Sequence, residues 1–126
     1  MTKKVLDVGN CVPDHAAISK FLTSNFKCEV LQADKADDAL PLLRKQPCDL
    51  VVVNRKLDCD YTDGVEVIRQ MKADPALRDV PVMLITNYAE HQDAAVAIGA
   101  LRGFGKLEYG KAETLERLAP ILGKSG

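Results

Sequence analysis

The sequence has no long apolar run; nothing in it approaches the roughly 20 residues that a helix needs to cross a bilayer. The opening Met1-Thr2-Lys3-Lys4 leads into a short apolar segment, too brief for the core of a signal peptide. Neither sign of charge dominates. Seventeen basic against eighteen acidic residues leave a net charge of −1, so no electrostatic footprint points to nucleic acid or an anionic membrane. Glycine- or serine-rich linkers are missing, and so is a repeat of solenoid period. No glycine-rich phosphate loop and no nucleophile–base pair is visible, which argues against an enzyme. The four cysteines, Cys11, Cys28, Cys48 and Cys59, form no C-x-x-C pair and keep no zinc-like spacing with His15 or His91. They read as reduced, mostly buried thiols of a cytoplasmic protein. A reactive thiol at Cys11, after the first strand, or at Cys59, in a loop, is the alternative.

What is present suits one ordered domain. The 126 residues are 47 % apolar and 28 % charged, enough to bury a core without staples, and the domain is read over 1–126 with its core at 3–122. Two kinds of segment alternate. Val5 to Val8 is a short apolar run interrupted by Asp7 and followed by the turn-forming Gly9-Asn10. Pro13 and Asp14 suit a helix start, after which Ala16, Ala17, Ile18, Phe21, Leu22 and Phe26 recur at near-helical spacing. Cys28 to Gln32 reads as a strand. A helix follows over Asp37 to Gln46, with Pro41 inside it, so it starts late or kinks.

Asp49 to Asn54 holds an apolar run, Leu50 to Val53, closed by an amide, and the chain is organised around it. A polar loop covers Arg55 to Thr62. Val65, Val67, Ile68 and Met71 mark a third helix ending near Asp74-Pro75. Pro81 to Thr86 is a second apolar strand. Glu90 to Ile98 reads as a helix closed by Gly99, Leu101 to Gly105 as a weaker strand, and Lys111 to Leu122 as a last amphipathic helix. Strands three and four are apolar at nearly every position, which means that helices cover both faces. Right-handed crossovers then favour an α/β fold: a doubly wound, five-stranded parallel sheet of flavodoxin-like order 2-1-3-4-5. In that layout the carboxyl ends of strands one, three, four and five converge. They present Gly9, Asn10 and Cys11; Asn54; Thr86 and Asn87; and Lys106.

At these residues the chain resembles the receiver domains of bacterial response regulators, of the chemotaxis-regulator type, from Lys3 to about Leu122. The resemblance rests on Asp49 to Asn54, on Asp63-Gly64, on the stretch from Ala73 through Asp74-Pro75 to Thr86, and on Gly99-Ala100, seven residues before Lys106. It implies a role in two-component (phosphorelay) signalling. In that family an aspartate at the end of strand three takes a phosphoryl group from a phosphohistidine. An acidic pair after strand one helps it to hold Mg²⁺. A lysine after strand five and a hydroxyl after strand four contact the phosphoryl group.

Carried over position by position, Thr86 and Lys106 are kept. The acceptor position is Asn54, and the acidic pair falls on Gly9 and Asn10. An amide cannot do the nucleophilic work of a carboxylate, and Mg²⁺ usually needs one or two carboxylates. The resemblance with these departures implies a pseudo-receiver: no cofactor, a lost Mg²⁺ site, and output through a protein contact on the fourth helix, fifth strand and fifth helix. The partner would be a histidine kinase, a phosphotransfer protein or a separate effector, with no nucleic acid and no membrane involved. The family's proline after the lysine is replaced by Leu107. Its switching aromatic in strand five falls on Gly103, or on Phe104 if the alignment slips by one.

Several alternatives stay open. Asp58, Asp60 and Asp63 lie in a loop longer than the family commonly uses and could rebuild a metal or acceptor site; otherwise they form a solvated loop with Asp63 capping a helix. Asp7, buried in a central strand, needs a partner. It pairs with Lys106, or is satisfied by backbone or a hydroxyl. His15 and His91 read as surface histidines. A phosphorelay receiver with displaced chemistry, using Asp58, Asp60 or Asp7, is one alternative function. An anion or small-ligand site at Lys106 and Thr86, no longer facing carboxylates, is another.

Overall fold

The computed structural model describes residues 2–123; Met1 and residues 124–126 of the domain read over 1–126 lie outside the described residues. Five strands alternate with five helices: β1 (Lys3–Val8), α1 (Val12–Asn25), β2 (Cys28–Ala33), α2 (Ala36–Lys45), β3 (Leu50–Asn54), α3 (Val65–Ala73), β4 (Val82–Ile85), α4 (Ala89–Ala97), β5 (Leu101–Phe104) and α5 (Ala112–Leu122). The strands form one parallel sheet of order β2-β1-β3-β4-β5, the topology expected. Each crossover carries a helix, so the sheet is covered on both sides.

The pleat divides the core in two, because successive side chains point to opposite faces. Leu6, Val8, Val51, Val53, Val82 and Leu84 pack with Ala39 and Leu43 of α2, Val67, Ile68 and Met71 of α3, and Ala95 of α4. Val5, Leu50, Val52, Met83, Ile85 and Phe104 pack with Ile18, Phe21 and Leu22 of α1 and with Leu118 and Leu122 of α5. Each such side chain contributes about 1.5–3 kcal/mol when fully buried. In keeping with burial on both faces, β3 is apolar up to Asn54 and β4 is apolar throughout.

Three local readings need correction. Ala16 and Ala17 are exposed; the buried stripe of α1 is Ile18, Phe21 and Leu22. α2 does not start late but begins at Ala36 and runs through Pro41. Pro41 and Asp37 are both exposed, so water can serve the Asp37 carbonyl that the missing proline N–H leaves unpaired. Of the cysteines only Cys48 is buried; Cys11 and Cys28 are half-buried and Cys59 is exposed.

β5 carries an irregularity with consequences for the site. Met83 pairs with Leu101 and Ile85 with Phe104, so β5 takes three steps where β4 takes two. The extra residue makes a bulge. Gly103 sits in it, where an added Cβ would collide with the Leu84 carbonyl oxygen. The bulge turns Phe104 into the core against α1 and α5, where it is fully buried and meets Phe21 edge-to-face at 5.9 Å.

Candidate functional site

The carboxyl edge of the sheet gathers the residues that the topology singles out. Gly9 follows β1 with φ of +83°, a backbone conformation that glycine adopts without penalty. Its carbonyl accepts the Asp58 amide at 2.9 Å, which folds the loop after β3 back over the end of β1. Leu57 comes with that loop and is buried where a side chain at position 9 would begin.

Asn10 is turned inward. Its Nδ2 donates to Asp7 Oδ1 at 2.5 Å, and its Oδ1 is buried without a partner among the described residues. Asp7 has no solvent exposure, and its other oxygen lies 2.7 Å from His15 Nδ1. Burial pushes the Asp7 carboxyl above its ordinary range, against the opposing hydrogen bonds of His15 and Asn10 and, more weakly, the charges of His15 and Lys106. Neither reading of Asp7 is correct: its partners are an imidazole and an amide, not Lys106, and not backbone or a hydroxyl. His15 is correspondingly no surface histidine. Beside this cluster the Tyr109 hydroxyl is buried without a partner among the described residues, and burial, then Asp14 and Asp7, push its pKa up.

Lys106 donates to Asp14 Oδ2 at 2.7 Å. It therefore does face a carboxylate, one supplied by α1. This bond is the main reason that the Asp14 carboxyl lies below its ordinary range, with a smaller contribution from Cys11.

Asn54 closes β3, half-buried. Its Nδ2 donates to the Lys56 carbonyl at 2.7 Å and, at 3.4 Å, to that of Gly9. Thr86, just past β4, is buried; its Oγ1 accepts the Tyr88 amide at 3.3 Å and stands 3.2 Å from His91 Nδ1. His91, in the first turn of α4, is thus part of the site and not a surface histidine. Between the loops after β3 and β4 lies a pocket of about 320 Å³ lined by Asn54, Arg55, Lys56, Thr86, Tyr88, His91 and Lys106 among others, with no carboxylate in its lining.

The carboxylates of the acidic loop do not line this pocket, although Asp63 Oδ1 lies 3.8 Å from Arg55 Nε. Asp58 and Asp60 are exposed. Asp60 Oδ1 accepts both the amide and the hydroxyl of Thr62, at 3.1 and 2.6 Å, and the hydroxyl bond is the largest cause of its lowered pKa. Asp63 Oδ1 accepts the Val65 amide at 3.0 Å, the capping role expected. Among the described residues no three His, Cys, Asp or Glu side chains come together as metal ligands. Cys59 lies in the same loop. Desolvation, then Asp60 and Asp34, raise its thiol pKa and leave less thiolate.

Of the two positions that the resemblance offers for a switching aromatic, Gly103 has no side chain and Phe104 faces the core. Gln92, 5 % exposed, was not singled out from sequence yet holds this region together. Its Nε2 donates to the Leu84 carbonyl at 2.9 Å and to that of Thr86 at 3.3 Å, while its Oε1 accepts the Gly103 amide at 2.8 Å. The one signal for it is that Gln92 precedes Ala95 by three positions, on the same helical face.

Comparison with known proteins agrees with this fold. No curated protein matches the sequence. The chain is similar in structure to a protein of Chloroflexus aurantiacus J-10-fl described as a response regulator, with a TM-score of 0.81, 18 % identity, and 98 % of this chain and 100 % of that one covered. It is similar to the chemotaxis response regulator CheY4 of Vibrio cholerae, with a TM-score of 0.74, 21 % identity, and coverage of 97 % and 100 %. Against NtrX from Brucella abortus the TM-score is 0.75 at 24 % identity, over 98 % of this chain but 27 % of NtrX. At these identities the likeness speaks for the fold. No helix among the described residues is long and apolar enough to cross a membrane. The profile of the response regulator receiver domain matches residues 11–104, well over half of the chain; the chain belongs to the response regulator receiver domain family of two-component signalling.

Proposed function

We propose that this receiver domain does not accept a phosphoryl group at position 54 and conveys its signal by binding another protein. The observation that carries this is the Asn54 side chain, whose amide donates to the carbonyls of Lys56 and Gly9. It is held as a donor between two acceptors, in the place where the family needs a nucleophilic oxygen. The donors around it suit Mg²⁺ poorly. Gly9 has no side chain and is capped by Leu57, and the Asn10 amide is committed to Asp7. The carboxylates of Asp7 and Asp60 are already engaged, so neither is a ready substitute.

The domain is read as a binding module and not an enzyme, working in the cytoplasm without a cofactor. Its partner is a histidine kinase, a phosphotransfer protein or a separate effector. The face formed by α4, β5 and α5 suits such a contact, with Val96 and Leu101 exposed on it at 42 % and 45 %. Incubation with acetyl phosphate and Mg²⁺ followed by intact mass measurement tests the first half of the reading. An unchanged mass is expected. A stable, acid-sensitive gain of one phosphoryl group would overturn it.

A further inference from the structure

We infer that the pocket between the loops after β3 and β4 binds a small organic anion: a carboxylate or phosphate head on a flat apolar body. This goes beyond the reading above, since it names an input that needs no covalent chemistry.

Charge is the first argument. Arg55, Lys56 and Lys106 all line the pocket, and no Asp or Glu does. Their present partners leave donors over. Lys106 makes one bond, to Asp14, out of the three that an ammonium can give. Arg55 Nε is 3.8 Å from Asp63, a long contact for a group with five N–H donors. Lys56 stands 5.5 Å from the centre of the Tyr61 ring. Asn54 adds no negative charge to oppose an entering anion.

Size is the second. A water molecule takes about 30 Å³ of liquid volume, so an inorganic anion would leave most of the 320 Å³ unfilled. The pocket instead falls at the lower end of the range for organic ligands, about 300–1,000 Å³.

An exposed aromatic ring is the third. Tyr88, 62 % exposed, lines the same pocket as the three cations. Its ring meets the His91 imidazole edge-to-face at 5.5 Å, and His91 is in turn fixed by Thr86 at 3.2 Å. An exposed aromatic ring held beside three cations suits a ligand with both a flat apolar part and a negative head. Such a ligand would bridge the loops after β3 and β4. It would favour whichever arrangement of them it binds better, which is what an input to a two-state domain must do.

The test uses the ¹⁵N-labelled full chain titrated at constant ionic strength with three probes: benzoate, its neutral isostere benzamide, and inorganic phosphate. Saturable benzoate-induced shifts are expected at the amides of Lys56, Tyr88 and His91, with benzamide and phosphate each weaker. Arg55→Gln and Lys56→Gln, both at accessible side chains, should each weaken benzoate about 1.4- to fivefold, the range for a solvent-accessible ion pair. Benzamide binding as tightly as benzoate would overturn the inference, and so would phosphate binding as tightly as benzoate. No saturation at millimolar benzoate would overturn it as well. If a triglutamate peptide moves the same amides where benzoate does not, the pocket is a protein contact and the inference fails. The acetyl phosphate result bears on none of these outcomes, so the two readings stand or fall separately.

Discussion

His15 Nδ1 stands 2.7 Å from Oδ2 of Asp7, so the first turn of α1 is tied to the middle of the sheet through a carboxylate that water does not reach. The two residues are eight apart in sequence. The contact gives the buried carboxylate a hydrogen-bonding partner, without which its burial would be costly.

His15→Ala should cost about 1–3 kcal/mol in urea unfolding, because it leaves half of a buried carboxylate unpartnered. Asp7→Asn should cost less, since the Asn10 amide keeps its acceptor. The pH dependence has a definite sign. Burial raises the Asp7 pKa above its ordinary 3.8, so the folded state holds this proton more tightly than the unfolded state. The stability of the wild type relative to Asp7→Asn should therefore fall as pH rises from about 3.8 through the folded-state pKa. A relative stability that rises over this window would mean that the hydrogen bonds of His15 and Asn10 outweigh desolvation.

Asn54→Asp replaces a donor with an acceptor facing two carbonyl oxygens. A loss of about 1–2 kcal/mol is expected, with no gain of phosphate from acetyl phosphate and Mg²⁺ by intact mass. Uptake by this single variant would show that the environment of Gly9, Asn10 and Leu57 still admits the metal.

Gln92→Ala should destabilise by about 1–3 kcal/mol, since the Gly103 amide loses its acceptor in a buried place. Gly103→Tyr should be no milder. Its Cβ would meet the Leu84 carbonyl, and overpacking of this kind costs about 1–3 kcal/mol. Restoring an aromatic at this position is therefore expected to damage the sheet and not to create a switch. A Gly103→Tyr protein with wild-type urea midpoint would refute the bulge.

Lys106→Met removes a pair whose side chains are 31 % and 41 % exposed, so less than about 1 kcal/mol is at stake. Lys106 holds the Asp14 pKa below 3.8, so the contribution is present above that value and is lost as pH falls through the folded-state pKa. Wild type and variant should converge in stability on acidification. Parallel curves would show that Lys106 acts by packing alone.

The sequence by itself determined the architecture. Val51 to Val53 and Val82 to Ile85 are apolar at every position, a pattern that only strands buried on both faces need. Once these are strands with helical crossovers, the topology brings Gly9, Asn10, Asn54, Thr86 and Lys106 to one edge, and their residue types can be read from the chain. The pairings at that edge depend on tertiary packing. Asp7 meets His15, and Lys106 meets Asp14, because α1 lies on one particular face of β1 at one particular height; no local spacing encodes either. Gln92 is polar in an alanine-rich helix and becomes informative only when α4 is seen to press it against Leu84 and Gly103. The bulge at Gly103 depends on the register between β5 and β4, which is a relation between strands and not a property of either. One inserted residue there sends Phe104 into the core, because side chains alternate with a period of two and a shift of one exchanges the faces.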